Sequence, residues 1–419
     1  MAEREVTEAA RTRPPSSQGQ PRVREALLDL MERFLPHEAD GLRASFALGV
    51  AQGETYTLRV ADRRCSLSPG RPASEPVATI TADTSTWLDL ASGATDPVQA
   101  FMSGALQVTG DLNLALRLYT LFRPGPATTR MVRTAQTNIG GFRIESLVAG
   151  VGTPVVLIHG LGASKVSFLP TFDALADRFE VHALDLPGFG KSDRPFPTGK
   201  RYTMRWMAEL VHGYLRRHRI TPAYLVGNSM GGRIATEIAL RYPRSVSGFV
   251  GLGAAVAFDE WQRFGPLLRR LQSQWLGLTP LPVRHDWIVS ALHDMFHTPD
   301  AVPLINMEAA AVDVARDLRD RRFRMALLSC ARHLGGERAG GRNGYWARLA
   351  ELDVPSYWIW GDTDRLVSPR YADKIGQVVP GARVEVWERC GHVPQFEAPE
   401  RTNRAIIDFI GALEAERLT

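Results

Sequence analysis

At 419 residues the chain exceeds one ordinary domain, so two are expected, and its 44% hydrophobic and 23% charged composition excludes a fibrous or wholly disordered chain. The formal net charge of +5 comes from basic residues spread along the whole length, without zinc-finger spacing or basic–aromatic interleaving. That distribution argues against a nucleic-acid partner and leaves transient contact with an anionic membrane surface open.

Cys65, Cys330 and Cys390 lie far apart with no C-x-x-C, which argues against a disulfide framework or a structural zinc site and points to a reducing, cytoplasmic setting. Residues 1–21, charged and bearing Pro, Ser and Gln, lack the apolar core of a signal peptide and read as a disordered tail. No apolar run is long enough to span a bilayer.

The first ordered stretch, "VREALLDLMERF" from Val23, carries apolar residues at helical spacing. "LRASFALGV" and "ETYTLRVADRRCSLSPG" then alternate in period two, with Pro69-Gly70 marking a turn, and "VATITAD" is a further strand. Asp83 caps a short helix, "TSTWLDLASG". "DPVQAFMSG" is another, "ALQVTG" is a strand, and Asp111 caps "DLNLALRLYTLF". Residues 124–138, with Pro, Gly and Thr, break both rhythms and are expected to be a linker.

The second half has a different beat. "FRIESLVAG" and "TPVVLIHG" suggest a hairpin leading into a buried strand, because "VVLI" has no alternation. Helices and apolar strands then alternate through "VSGFVGLGAA", the pattern of a parallel sheet covered on both faces. Residues 258–348 interrupt it with arginine-bearing helices and read as a cap. Within the cap, Phe264, Leu267, Leu268, Leu271, Trp275 and Leu278 repeat at helical spacing, which suits a helix packed on its own domain or a lid that meets lipid. "DVPSYWIWGDTDRL" and "ARVEVWERCGHVPQFEAPE" restore strand and loop before a final helix.

The stretch "YLVGNSMGGR" places one serine between glycines where a strand meets a helix. A capping serine and a nucleophile elbow, G-x-S-x-G, both fit these letters. Three other segments decide in favour of the elbow. "HGLGAS" at 159–164 and "DLPGFGKSDRP" at 185–195 precede it, and "GDTD" and then "CGHVPQFEAPE" follow it, giving the chain order Ser, Asp, His that such a fold requires. On these motifs residues 137–418 resemble the α/β-hydrolase superfamily. The resemblance implies Ser229 as nucleophile, His392 as base and Asp364 as the acid that orients it, with Asp362 as the near rival. It also implies an oxyanion hole of the Leu161 and Met230 backbone N–H groups, braced by His159 and Gly160, and the elbow glycines Gly227 and Gly231.

Residues 22–123 resemble the sterol-carrier-protein type of lipid-binding domain, most specifically over "FMSGALQVTGDLNLALRLYTLF". That resemblance implies an apolar tunnel for acyl chains or sterols, with Trp87, Phe101, Leu118 and Phe122 as candidate walls; apolar side chains at such spacing more often simply fill a core. The expected architecture is therefore an α/β-hydrolase fold with a helical cap, 139–419, preceded by an α+β sterol-carrier-protein-like domain. Expected is a serine hydrolase of lipid-like carboxylic esters, needing no cofactor or metal. The alternatives are a carbon–carbon bond hydrolase of the meta-cleavage-product type and a lipid carrier with little turnover. "HGLGAS", and Val393 and Phe396 after the histidine, depart from the meta-cleavage pattern and favour the ester. Cys390 is expected to be a packing residue.

Overall fold

The computed structural model describes residues 19–125, 131–257, 277–279, 284–299 and 304–418. The N-terminal domain contains α1 (Gly19–Glu32), β1 (Ala44–Val50), β2 (Thr55–Ala61), β3 (Arg64–Pro69), β4 (Ala78–Ala82), α2 (Thr84–Ser92), α3 (Pro97–Met102), β5 (Leu106–Gly110) and α4 (Leu112–Thr120). Its five-stranded sheet has the order β3-β2-β1-β4-β5, with β1 and β4 parallel and the other pairs antiparallel. Three aspartates start three helices. Asp83, Asp96 and Asp111 accept the N–H groups of Thr86, Val98 and Leu114 at 2.7, 2.7 and 3.0 Å, satisfying donors that a helix start leaves unpaired. Along β2, Tyr56, Leu58 and Val60 point inward, as the period-two pattern requires. The first helix starts at Gly19, inside the stretch read as tail, because the N–H that Pro21 lacks has no partner in a first helical turn anyway.

The second domain contains β6 (Val132–Ile139), β7 (Phe142–Ala149), β8 (Pro154–Ile158), α5 (Leu169–Leu175), β9 (Glu180–Leu184), α6 (Met204–His218), β10 (Ala223–Asn228), α7 (Met230–Arg241) and β11 (Val246–Leu252). The cap follows with α8 (His285–His293), α9 (Leu304–Arg319), α10 (Arg321–Gly335) and α11 (Tyr345–Leu349). Then come β12 (Ser356–Gly361), α12 (Arg370–Val378), β13 (Arg383–Trp387), α13 (Pro394–Glu397) and α14 (Pro399–Leu418). The sheet order is β13-β12-β11-β10-β8-β9-β7-β6. Strands β8 to β13 run parallel, and β7 and β6 are antiparallel additions at one edge. The parallel strands are buried on both faces; Val155–Ile158 and Leu225–Val226 are fully inaccessible.

Two expectations fail at that edge. Much of the supposed linker, 132–138, is strand β6, whose Arg133, Gln136 and Asn138 face solvent while Val132, Thr137 and Ile139 face inward. And β7 forms its hairpin with β6, whereas β8 sits two strands away between β9 and β10. The turn at Gly140-Gly141, both with positive φ, is the hairpin signal that the composition-based reading passed over. In the cap, "DVARDLRDRRFRMALLSCARHL" is two helices, because Asp320 accepts the Arg322 N–H and starts α10. The apolar repeat from Phe264 to Trp275 lies outside the described residues.

The domains pack on one another. Val98 and Leu116 join the apolar cluster of the second domain, while Ala309 of α9 is buried in the core of the first. Helix α9 lies along the edge strand β5, and α3 lies along α5. No helix among the described residues is long and apolar enough to cross a membrane.

Candidate active site

Strand β10 ends at Asn228 and α7 begins at Met230, so Ser229 alone makes the turn. Its backbone sits at φ 53°, ψ −117°, a strained conformation for a residue with a Cβ. The turn closes only because its neighbours lack side chains. A Cβ on Gly227 would lie 2.3 Å from the Gly231 carbonyl carbon, and one on Gly231 would lie 1.9 Å from the Ile158 oxygen.

The loop after β13 carries His392, and the loop after β12 carries Asp364; both are buried. His392 Nδ1 lies 2.7 Å from Asp364 Oδ2. The other carboxylate oxygen accepts the N–H groups of Leu366 and Val367 at 2.9 and 2.8 Å, which fixes the orientation of the acid. Asp362 is engaged elsewhere, accepting the Cys390 N–H at 3.2 Å. The Cys390 thiol is pushed up to about 12, chiefly by burial, and so stays protonated as a packing group.

Asn228 is a site residue that the sequence did not single out. Its side-chain amide donates to the carbonyls of Leu252 and His392, both at 3.0 Å, tying the elbow to the histidine loop. Its position next to Ser229 is the one sequence signal that could have found it. The cap holds the same loop from the other side, since the His392 N–H donates to the Met295 carbonyl at 2.7 Å.

Gly160 packs on the elbow; a Cβ there would lie 3.3 Å from that of Ser229. His159 is fully buried, and burial lowers its pKa and keeps the ring neutral. The Leu186 N–H donates to Nε2 at 3.0 Å, so the proton sits on Nδ1, which faces the Gly160 carbonyl at 2.7 Å. The ring is thus a brace for its loop. Met230 is fully buried at the first turn of α7, where N–H groups lack helical partners, and Leu161 packs partly buried against the main apolar cluster.

The N-terminal domain encloses a cavity of about 320 Å³ lined by Leu48, Leu58, Ile80, Trp87, Leu118 and Phe122 among others. The Trp87 indole donates to the Gly49 carbonyl at 2.9 Å and so presents a fixed apolar face. Phe101 packs partly buried against the same core but does not line the cavity. Val132, Asp173 and Asp177 of the second domain complete its wall.

Residues 153–399, more than half of the chain, match the alpha/beta hydrolase fold family. The chain belongs to that family. Residues 28–123 match the SCP-2 sterol transfer family, so this hydrolase carries a lipid-transfer type domain at its N-terminal side. A 2-hydroxy-6-oxononadienedioate/2-hydroxy-6-oxononatrienedioate hydrolase of Paraburkholderia phymatum is 31% identical over 270 residues, 61% of this chain and 86% of the relative. Lipase 1 of Psychrobacter immobilis is 27% identical over 272 residues, 64% of this chain and 79% of that one. Among solved structures, a meta-cleavage product hydrolase from Pseudomonas fluorescens is 25% identical with a TM-score of 0.54, covering 66% of this chain and 97% of its own. The family thus brings both esterases or lipases and carbon–carbon bond hydrolases close to this chain.

Proposed function

We propose that this hydrolase cleaves carboxylic esters of apolar, lipid-like substrates through an acyl-enzyme. The observation that carries the reading is the strained Ser229 at the elbow together with the 2.7 Å contact between His392 and Asp364. A serine hydroxyl becomes a competent nucleophile only when a base takes its proton during attack. In this reading His392 Nε2 takes the Ser229 proton as Oγ attacks the ester carbonyl, and Asp364 stabilises the resulting imidazolium. The N–H groups of Met230 and Leu161 hold the oxyanion. Collapse expels the alcohol, protonated by His392; water, activated by the same base, then releases the acid. The N-terminal cavity takes the acyl or sterol-like part of a lipid; its size lies at the lower end of the range usual for small-molecule sites.

The test is an ester series from acetyl to palmitoyl, assayed on the full chain beside Ser229→Ala. Activity that rises with chain length and vanishes in the variant supports the reading. A second reading, carbon–carbon bond cleavage, draws support from the activity for which the Paraburkholderia relative is named. Turnover of 2-hydroxy-6-oxononadienedioate without turnover of any ester would replace the first reading with the second.

A further inference from the structure

Lys165 closes the oxyanion loop, and its side chain is only 2% exposed. An ammonium group has three N–H bonds to satisfy, and here each finds an acceptor. Asp185 Oδ2 lies at 2.6 Å, Glu145 Oε1 at 3.0 Å and Asn113 Oδ1 at 3.0 Å. Burial by itself would favour the neutral amine, but Asp185 and Glu145 outweigh it and hold the pKa above the usual lysine range. Two of the acceptors belong to the hydrolase, on β7 and just past β9. The third stands in the first turn of α4, in the other domain, and is 1% exposed.

Asn113 makes a second contact with the same loop, its Nδ2 donating to Ser164 Oγ at 3.3 Å. The loop is otherwise anchored on one short segment: the Lys165 N–H donates to Asp185 Oδ1 at 2.8 Å, and the Leu186 N–H donates to His159 at 3.0 Å. Leu161 lies between those anchors. The same end of α4 reaches further, because Asp111 Oδ2 takes Lys191 Nζ at 2.5 Å and Arg316 Nη1 at 3.3 Å. One helix end of the lipid-type domain therefore grips the oxyanion loop, the 185–195 loop and the cap.

The geometry points to Asn113 as a positioning residue for the oxyanion loop, so that the hydrolase site is complete only with the N-terminal domain docked on it. Removing this acceptor leaves one N–H of a buried cation unpaired, a costly state that the chain relieves by moving Lys165. Displacement of Lys165 carries Leu161 with it, and donors to a developing oxyanion lose their value when shifted by a fraction of an ångström. The inference rests on the ester-hydrolase reading for its steady-state assay, and a second readout frees it from that dependence.

The experiment uses full-length Asn113→Leu, which fills the space without an acceptor, Asn113→Ala, and Asn113→Asp, which keeps an acceptor for Lys165 and accepts from the Ser164 hydroxyl in place of donating to it. Short-chain ester kinetics are normalised to active sites counted by labelling with a fluorophosphonate, whose phosphoryl oxygen occupies the oxyanion hole. Expected for Asn113→Leu is a fall of roughly 10- to 100-fold in kcat with KM within about twofold, and a matching fall in the rate of Ser229 labelling. Asn113→Ala should fall between the two, and Asn113→Asp should recover most of the rate. If Asn113→Leu does not fold, the Ala and Asp pair carries the same comparison. Per-site kcat and labelling rates within twofold of wild type in both apolar variants would overturn the proposal. A wild type that hydrolyses no ester yet labels at Ser229 removes the ester reading alone, and the labelling rates still decide on Asn113. No labelling of the wild type overturns both.

Discussion

The two domains solve opposite packing problems. The N-terminal domain wraps its sheet and helices around a cavity of about 320 Å³, walled largely by apolar side chains. The hydrolase domain fills its sheet solidly, with Trp358 and Trp360 inaccessible to solvent, and places a strained residue, Ser229, at the strand ends. Well-packed interiors normally leave little empty space, so on the proposed reading a ligand would supply the contacts that a cavity of this size lacks. On the same reading the strained serine is where chemistry would occur. On that reading one domain stores affinity as absent matter and the other stores reactivity as unfavourable backbone.

Substitutions can break either side of this contrast. The largest effect is expected at Ser229→Ala, which should lower ester turnover by roughly four to six orders of magnitude while leaving the circular dichroism unchanged. Next comes Gly231→Ala, whose new Cβ would stand 1.9 Å from the Ile158 oxygen. That clash is with backbone, so loss of about 4 kcal/mol or more, or failure to fold, is expected in chemical denaturation.

Asp313→Asn probes the seam between the domains. Burial, reinforced by Asp111 and Asp317 and opposed by Arg316, raises the Asp313 carboxyl to about 6. It also accepts the Leu112 N–H at 3.1 Å, while Lys191 faces the neighbouring Asp111. A carboxyl whose folded pKa exceeds its unfolded value stabilises the fold below the unfolded pKa and loses that contribution as pH rises through the folded one. The variant should therefore gain on wild type between about pH 4 and pH 7, by at most ~3 kcal/mol, in denaturation curves taken at both pH values. A constant difference across that range would show that Asp313 ionises normally.

The smallest effect is expected at Leu118→Phe, which adds volume to the cavity wall. Melting temperature should stay the same or rise slightly, and short-ester turnover should not change, while binding of a fluorescent fatty acid weakens. Unaltered fatty-acid binding would mean that the ligand does not use this void.

How much of this could be read from the sequence depended on the range of the interaction. The elbow was legible because its constraints are local: Gly227 and Gly231 each lie two residues from Ser229. The preference for Asp364 over Asp362 followed from its place at the end of "GDTD"; in the fold its Oδ2 lies 2.7 Å from His392 Nδ1. Strand β6 was hidden because the composition of 124–138 suggested a linker, while its pairing partner, β7, was assigned to another strand. The Asn113–Lys165 contact spans 52 positions and depends on how two domains dock, which no local pattern encodes. Asn228 was passed over for another reason: its side chain serves distant carbonyls, although its position is next to Ser229.

Helix α9 lies along β5, the last strand of the five-stranded sheet, and buries Ala309 in the core beneath it. The hydrolase cap thus acts as a shield for a strand whose outer N–H and C=O groups would otherwise be open to pairing with another molecule. Cutting the chain near residue 125 would strip that shield away. The excised N-terminal piece should then associate edge to edge, so the lipid-type domain of this protein is not a removable cassette.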